Sequence, residues 1–231
     1  MFTVRKSADR GVTDFGWLDS RHSFSFGDYF DPAHHHFRSL RVINDDRIAP
    51  GGGFGTHPHR DMEILTFVLN GALQHRDSMG NGSVIRAGDW QKMSAGTGIQ
   101  HSEFNASKTE PVHLLQIWIM PAKKGLAPEY AEVPAPTVVP EGWRLVASPD
   151  ARHGSIRVHQ DVQLSVAKLR TGEQQGYDFA PGRAGWLHVA TGSANVNGEK
   201  LEAGDAVAIE GESRITVEGV TEGEVLLFDL A

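Results

Sequence analysis

The sequence predicts an all-β protein built from two copies of one β-barrel. Three observations carry this expectation. Apolar residues come in short runs rich in β-branched and aromatic side chains, and most of the 26 glycines stand between those runs. The order of turns in the first half returns loosely in the second. No long segment shows the 3.6-residue period of an amphipathic helix. At 231 residues the chain is long enough for one large domain or two medium ones, and its 39% hydrophobic and 22% charged content is ordinary for a globular protein.

Taken in order, Met1 to Asn44 mixes short apolar pieces with aromatics. The alternation Ser23-Phe24-Ser25-Phe26 reads as a strand and Tyr29 to Pro32 as a turn or cover. Leu40 to Ile43 alternates as a strand, and Asn44-Asp45-Asp46 reads as a turn, because Asn and Asp are depleted in strands. EILTFVLNG from Glu63 is a strand closed by Gly71. ALQHRDS follows, then a turn at Met79-Gly80-Asn81-Gly82 and a second turn at Gly88-Asp89. His113 to Met120 reads as a buried strand. Pro121 to Trp143 then collects five of the 11 prolines, which lack a backbone donor and suit no central strand, so it reads as an extended linker. The expected domains are therefore 1–134 and 135–231. Beyond the linker, strands resume, with turns at Asn197-Gly198 and Gly204-Asp205. Gly71 with Gly192, and Gly88 with Gly204, align the two halves.

Charge and composition exclude several classes. The net charge of −7, with no basic cluster, argues against direct nucleic-acid binding. With no cysteine, there is no disulfide framework, thiolate metal site or cysteine nucleophile. The start MFTVRKSADRGVTDFGW lacks a signal-peptide-like stretch, and no run nears the roughly 18 apolar residues of a membrane span. A soluble, cytoplasmic, monomeric protein is the expectation.

The chemistry concentrates in GGGFGTHPHRDME, Gly51 to Glu63, and in GTGIQHSEFN. On a strand, residues two apart share a face, so His57 and His59 can reach one point, and so can His101 and Glu103. Two such strands facing each other inside a barrel offer three nitrogens and one carboxylate, a set that suits a divalent transition metal with one or two open positions. Among the other histidines, His34-His35-His36 reads as a surface loop, and His159 and His188 as structural residues. His75 and Asp77 share a strand face, either lining the barrel mouth or forming a surface pair. Phe54, Phe67 and Trp118 read as core. Gly51-Gly52-Gly53 lacks the lysine and the strand-to-helix setting of a phosphate loop.

The spacing Gly51-x5-His57-x-His59-x3-Glu63, followed by His101-x3-Asn105, resembles the two cupin motifs. The blocks THPHRDMEILTFVLNG, HRDSMGN, MSAGTGIQHSEFN, LLQIWIMP, GWLDSRHSFSFGDYFDP and SPDARHGSIRVHQD more narrowly resemble the pirin family, over nearly the whole chain. That resemblance implies two jelly-roll cupin barrels with one metal, in the N-terminal barrel only. It implies Fe(II) first, with Zn, Mn, Co, Ni or Cu as alternatives, and the ligands His57, His59, His101 and Glu103. The general cupin pattern would use Glu63 instead, but the spacing from Glu63 to Gly71 is one residue longer than that pattern. Counting back from Gly192 to the positions equivalent to His57 and His59 meets Asp178 and Ala180. The implied activity is quercetin 2,3-dioxygenation, with a flavonol-like substrate, O2 and Glu103 as proton acceptor. A non-catalytic iron-binding regulator acting through a protein partner is the alternative. A sugar isomerase would want basic residues at the site, where only Arg60 and Arg76 are near.

Overall fold

Strands make up nearly all the regular structure of the computed structural model, which describes residues 1–138 and 140–231. Val139, inside the stretch read as a linker, lies outside the described residues. Among them the helical elements are three single 3-10 turns: Ser7–Asp9, Pro32–His34 and Arg152–Gly154. No described helix is long and apolar enough to cross a membrane. Contacts divide the chain into two units, Gly11–Ala135 with Val158–Gln160, and Met1–Arg10 with Pro136–Arg157 and Asp161–Ala231. The first of these passes to the second after Ala135. The assignment of the first ten residues to the second unit has no counterpart in the sequence reading. It follows from Phe2–Arg5 pairing antiparallel with Ala206–Glu210.

The first unit holds two sheets. The seven-stranded one runs Glu129–Val133, Trp90–Ser94, Glu63–Asn70, Val112–Ile119, Leu40–Ile48, Leu18–His22, Gly11–Asp14; the four-stranded one runs Gly53–His59, Ile99–Asn105, Ala72–Asp77, Gly82–Arg86. Leu18, Ile48, Val68, Val112 and Leu114 from the larger sheet pack with Leu73 and Ile85 from the smaller, so one core is shared by both. Phe67 belongs to the interior as expected, stacked on Trp90 with centroids 4.3 Å apart.

Three local expectations are corrected. The strand ends at His22, and Ser23 to Ser25 bend away from it, although Phe24 is buried. Asn44, Asp45 and Asp46 do not turn the chain but lie within the strand Leu40–Ile48 and are buried. They are held there by partners distant in sequence: Ser20 for Asp46, His22 for Asn44 and His113 for Asp45. Finally, Glu129–Val133 in the linker is an edge strand paired with Trp90–Ser94. These five residues contain no proline, Pro128 and Pro134 standing just outside, so the edge ladder is open to them.

The second unit is a nine-stranded arrangement whose core gathers Leu187, Val189, Val196, Val207, Val217 and Leu227. The repeat is visible in its hydrogen bonds. Gly88 N donates to Val68 O and Gly204 N to Val189 O, each at 2.8 Å, and the following aspartates receive Arg86 N and Glu202 N in the same way. Gly71 and Gly192 both take positive φ, and a Cβ at either would run into neighbouring backbone, Pro111 O at 2.7 Å for the first and Glu222 O, closer still, for the second.

Asn105 closes Ile99–Asn105 and ties the end of Leu40–Ile48 to the loop that follows Asn105 itself. Its Nδ2 donates to Ile48 O at 3.0 Å, Ala49 O at 3.2 Å and Glu110 O at 2.8 Å. Asn105→Ala strands these carbonyls and is expected to cost about 2–3 kcal/mol, a fall in Tm of roughly 5–10 °C read by calorimetry.

Candidate metal centre

Two strands of the smaller sheet position the site. Gly53–His59 pairs antiparallel with Ile99–Asn105 so that His57 lies opposite His101, and the register shifts between His101 and Glu103. The period of two puts His57 and His59 on one face, and their donor nitrogens and that of His101 all lie within 4.8 Å of one another. His101 Nε2 is 3.0 Å from His57 Nε2.

The outer nitrogens are fixed. His57 Nδ1 donates to Gly55 O at 2.8 Å, leaving its Nε2 lone pair for the site. His101 Nδ1 sits 3.2 Å from Nε2 of His75, a fully buried ring that stacks on Tyr130 with centroids 5.1 Å apart. His75 thus orients His101 from behind. Neither sequence expectation for His75 and Asp77 holds. His75 is in the interior, and Asp77 accepts from Met79 N, Asn81 N and Asn81 Nδ2 in the following turn.

Burial, with His57 close by, pushes His59 down to about 4, and burial among three other imidazoles pushes His101 lower still. Both rings are therefore neutral at physiological pH and offer lone pairs, the form in which imidazole binds a divalent transition metal. The residues fit such an ion.

Glu103 is buried on the same strand as His101, and both its oxygens lie near Gln116 Nε2, at 3.0 and 3.1 Å. Gln116 is held in turn by Thr66 Oγ1. Burial raises the Glu103 carboxyl, and the Gln116 bond opposes it. Glu103 is not in the group of converging donors, which holds the three histidines. Glu63 stands elsewhere: it accepts from Ser94 Oγ at 3.0 Å and lies 3.4 Å from the buried Lys92 Nζ. In the second unit, Asp178 pairs with Arg214 at 2.7 Å. His159 pairs with Glu129 at 3.1 Å.

The histidines open into a cavity of about 270 Å³. Its apolar walls include Phe15, Phe26, Phe54 and Trp118, with Trp118 edge-on to His59 at 5.0 Å. Phe54 and Trp118, expected in the core, are thus walls of the site. Its polar walls include Ser20, His22, Asn44, Asp46, Glu103 and Gln116, and no lysine or arginine lines it among the described residues. The last point counts against sugar-isomerase chemistry.

Asp46 is pushed up to about 7, chiefly by burial, with Ser20 opposing and the Asp45 and Glu103 charges adding. A carboxyl raised in the folded state favours folding below its unfolded pKa of about 4, and that advantage is lost as pH rises through about 7. In metal-free protein, Asp46→Asn should gain stability on wild type as pH rises from 4 to 8, by at most on the order of 4 kcal/mol. Paired urea melts across that range would measure the gap, and a gap that does not change with pH would refute the assignment.

The fold and the centre together define a double-barrel cupin protein with a histidine-rich site in one barrel. The Pirin family model matches residues 3–119, and the model for a quercetinase C-terminal cupin domain matches residues 145–230. The chain belongs to the pirin family. It is 50% identical over 230 residues to a protein of Escherichia coli K12 named quercetin 2,3-dioxygenase, covering 100% of this chain and 99% of that one. A pirin-like protein of Caulobacter vibrioides is 40% identical over 232 residues, covering 98% and 99%. Among solved structures, bacterial pirin YhhW from Escherichia coli in complex with nickel(II) superposes with a TM-score of 0.95 at 50% identity, covering 100% of this chain and 99% of that one.

Sequence reasoning missed Tyr130, Gln116 and Asp46, and named His75 without its partner His101. Gln116 sits inside the run HLLQIWIM, where a lone polar residue among apolar ones was an available signal.

Proposed function

We propose that the protein is a mononuclear metal-dependent dioxygenase that opens the flavonol ring of quercetin-like substrates. One flavonol and one O2 give one phenolic ester that keeps both oxygen atoms, and the ring carbon bearing the 3-hydroxyl leaves as carbon monoxide. The observation that carries this reading is the set of three converging imidazoles lining an aromatic-walled cavity that, among the described residues, has no lysine or arginine. His57, His59, His101 and Glu103 would hold the ion, Fe(II) in the first instance. The ion's charge would favour the deprotonated form of the substrate's 3-hydroxyl.

The chain's own residues supply the rest. Glu103 takes the hydroxyl proton, as a carboxylate beside the ion and within reach of the substrate hydroxyl. Gln116 holds that carboxylate in place. Phe54 and Trp118 flank a planar ring system and exclude water. The regulatory reading, in which iron serves a partner-binding surface, is supported less well, since it needs no aromatic-walled cavity beside the histidines.

The test is carbon monoxide release from quercetin in air by Fe(II)-reconstituted protein, beside a His101→Ala control. Iron-dependent release absent from the control supports the assignment. No release from protein carrying one metal per chain would sink it in favour of the regulator.

A further inference from the structure

The cavity contains a second carboxyl that the chemistry above leaves unused. Asp46 is only 4% exposed yet lines the cavity together with Ser20, His22, Asn44 and Thr13. Its neighbours satisfy one another. His22 Nδ1 meets Asn44 Oδ1 at 2.7 Å, and His22 Nε2 meets Thr13 Oγ1 at 2.8 Å. Asp46 Oδ1 accepts from Ser20 Oγ. No described residue hydrogen-bonds Asp46 Oδ2.

A carboxyl oxygen that no protein group satisfies takes its partner from water or from a ligand. Here it borders the space in which the proposed substrate would lie. A phenolic hydroxyl both donates and accepts, so it suits a carboxyl whether or not that carboxyl carries a proton. An ether or an unsubstituted ring edge offers no hydrogen to share.

We infer that Asp46, braced by Ser20, is a specificity residue that pairs with a second ring hydroxyl of the flavonol, distinct from the one the metal takes. The inference rests on the flavonol reading and narrows it to polyhydroxylated flavonols. Glu103 and Asp46 then divide the work, one serving the reacting hydroxyl and the other a remote one.

The test is equilibrium binding by full-length, nickel-loaded protein under anaerobic conditions, read from the flavonol absorption band. Two probes suffice: quercetin, and 3-hydroxyflavone, which carries only the 3-hydroxyl. Wild type should bind quercetin at least about 10-fold more tightly, the worth of one hydrogen bond to a charged or buried carboxyl. Asp46→Ala should shrink that preference to within about twofold while metal content holds. Asp46→Asn, which keeps the shape, the Ser20 contact and a hydrogen-bonding group toward the hydroxyl, guards against a misfolded variant and should show a preference between those of wild type and Asp46→Ala.

A preference that survives in both variants, or its absence in wild type while both flavonols bind, overturns the inference and leaves the dioxygenase reading standing. Failure of wild type to bind either flavonol overturns both.

Discussion

His101→Ala is expected to abolish stoichiometric metal binding, lowering affinity by well over 100-fold, and to take turnover with it. The expectation rests on position. His101 is central to the cluster, 3.0 Å from His57 Nε2 on one side and 3.2 Å from His75 Nε2 on the other. Loss of a residue that merely orients a ligand typically costs 10- to 100-fold in affinity, so loss of the ligand itself should cost more. His75→Ala provides the graded comparison, weakening binding by about 10- to 100-fold without removing a donor. Metal content after equilibrium dialysis reads both variants. If His101→Ala kept one ion per chain at wild-type affinity, the three-histidine centre would be wrong.

Glu63→Ala should show the converse pattern, a large loss of stability with the metal retained. Lys92 Nζ is almost fully buried between Glu63, 3.4 Å away, and the half-exposed Glu129, 3.1 Å away. Without Glu63 the buried ammonium keeps only the half-exposed Glu129, and breaking a buried pair typically costs up to about 3–5 kcal/mol. For a chain of this size that is a fall in Tm of roughly 10 °C. Glu103→Ala should instead lose metal affinity. Thermal melts and metal analysis on the two variants together decide which glutamate serves the ion. Metal loss from a folded Glu63→Ala would reverse the assignment.

Much of the centre was legible because its signal is local. Two histidines at i and i+2 must share a strand face, and the second pair shares that spacing. The repeat was legible for the same reason, since Gly-Asp turns with positive φ carry their own backbone requirement. What escaped depends on distant partners. Asn44-Asp45-Asp46 looks like a turn unless Ser20, His22 and His113 are known to meet it. His75 gains meaning only from His101 in front and Tyr130 behind. Tyr130 lay in a stretch dismissed for its prolines, although five consecutive residues there carry none.

The pairing of Phe2–Arg5 with Ala206–Glu210 has a consequence for synthesis. On the ribosome, the first strand emerges some two hundred residues before the strand it joins. The histidine-bearing barrel has all its own strands once residue 135 has emerged, whereas the other cannot close until nearly the whole chain is released. The leading segment must therefore wait unpaired through most of translation. Its backbone edge stays open until Ala206–Glu210 emerges to cover it, and such an edge invites pairing with another chain.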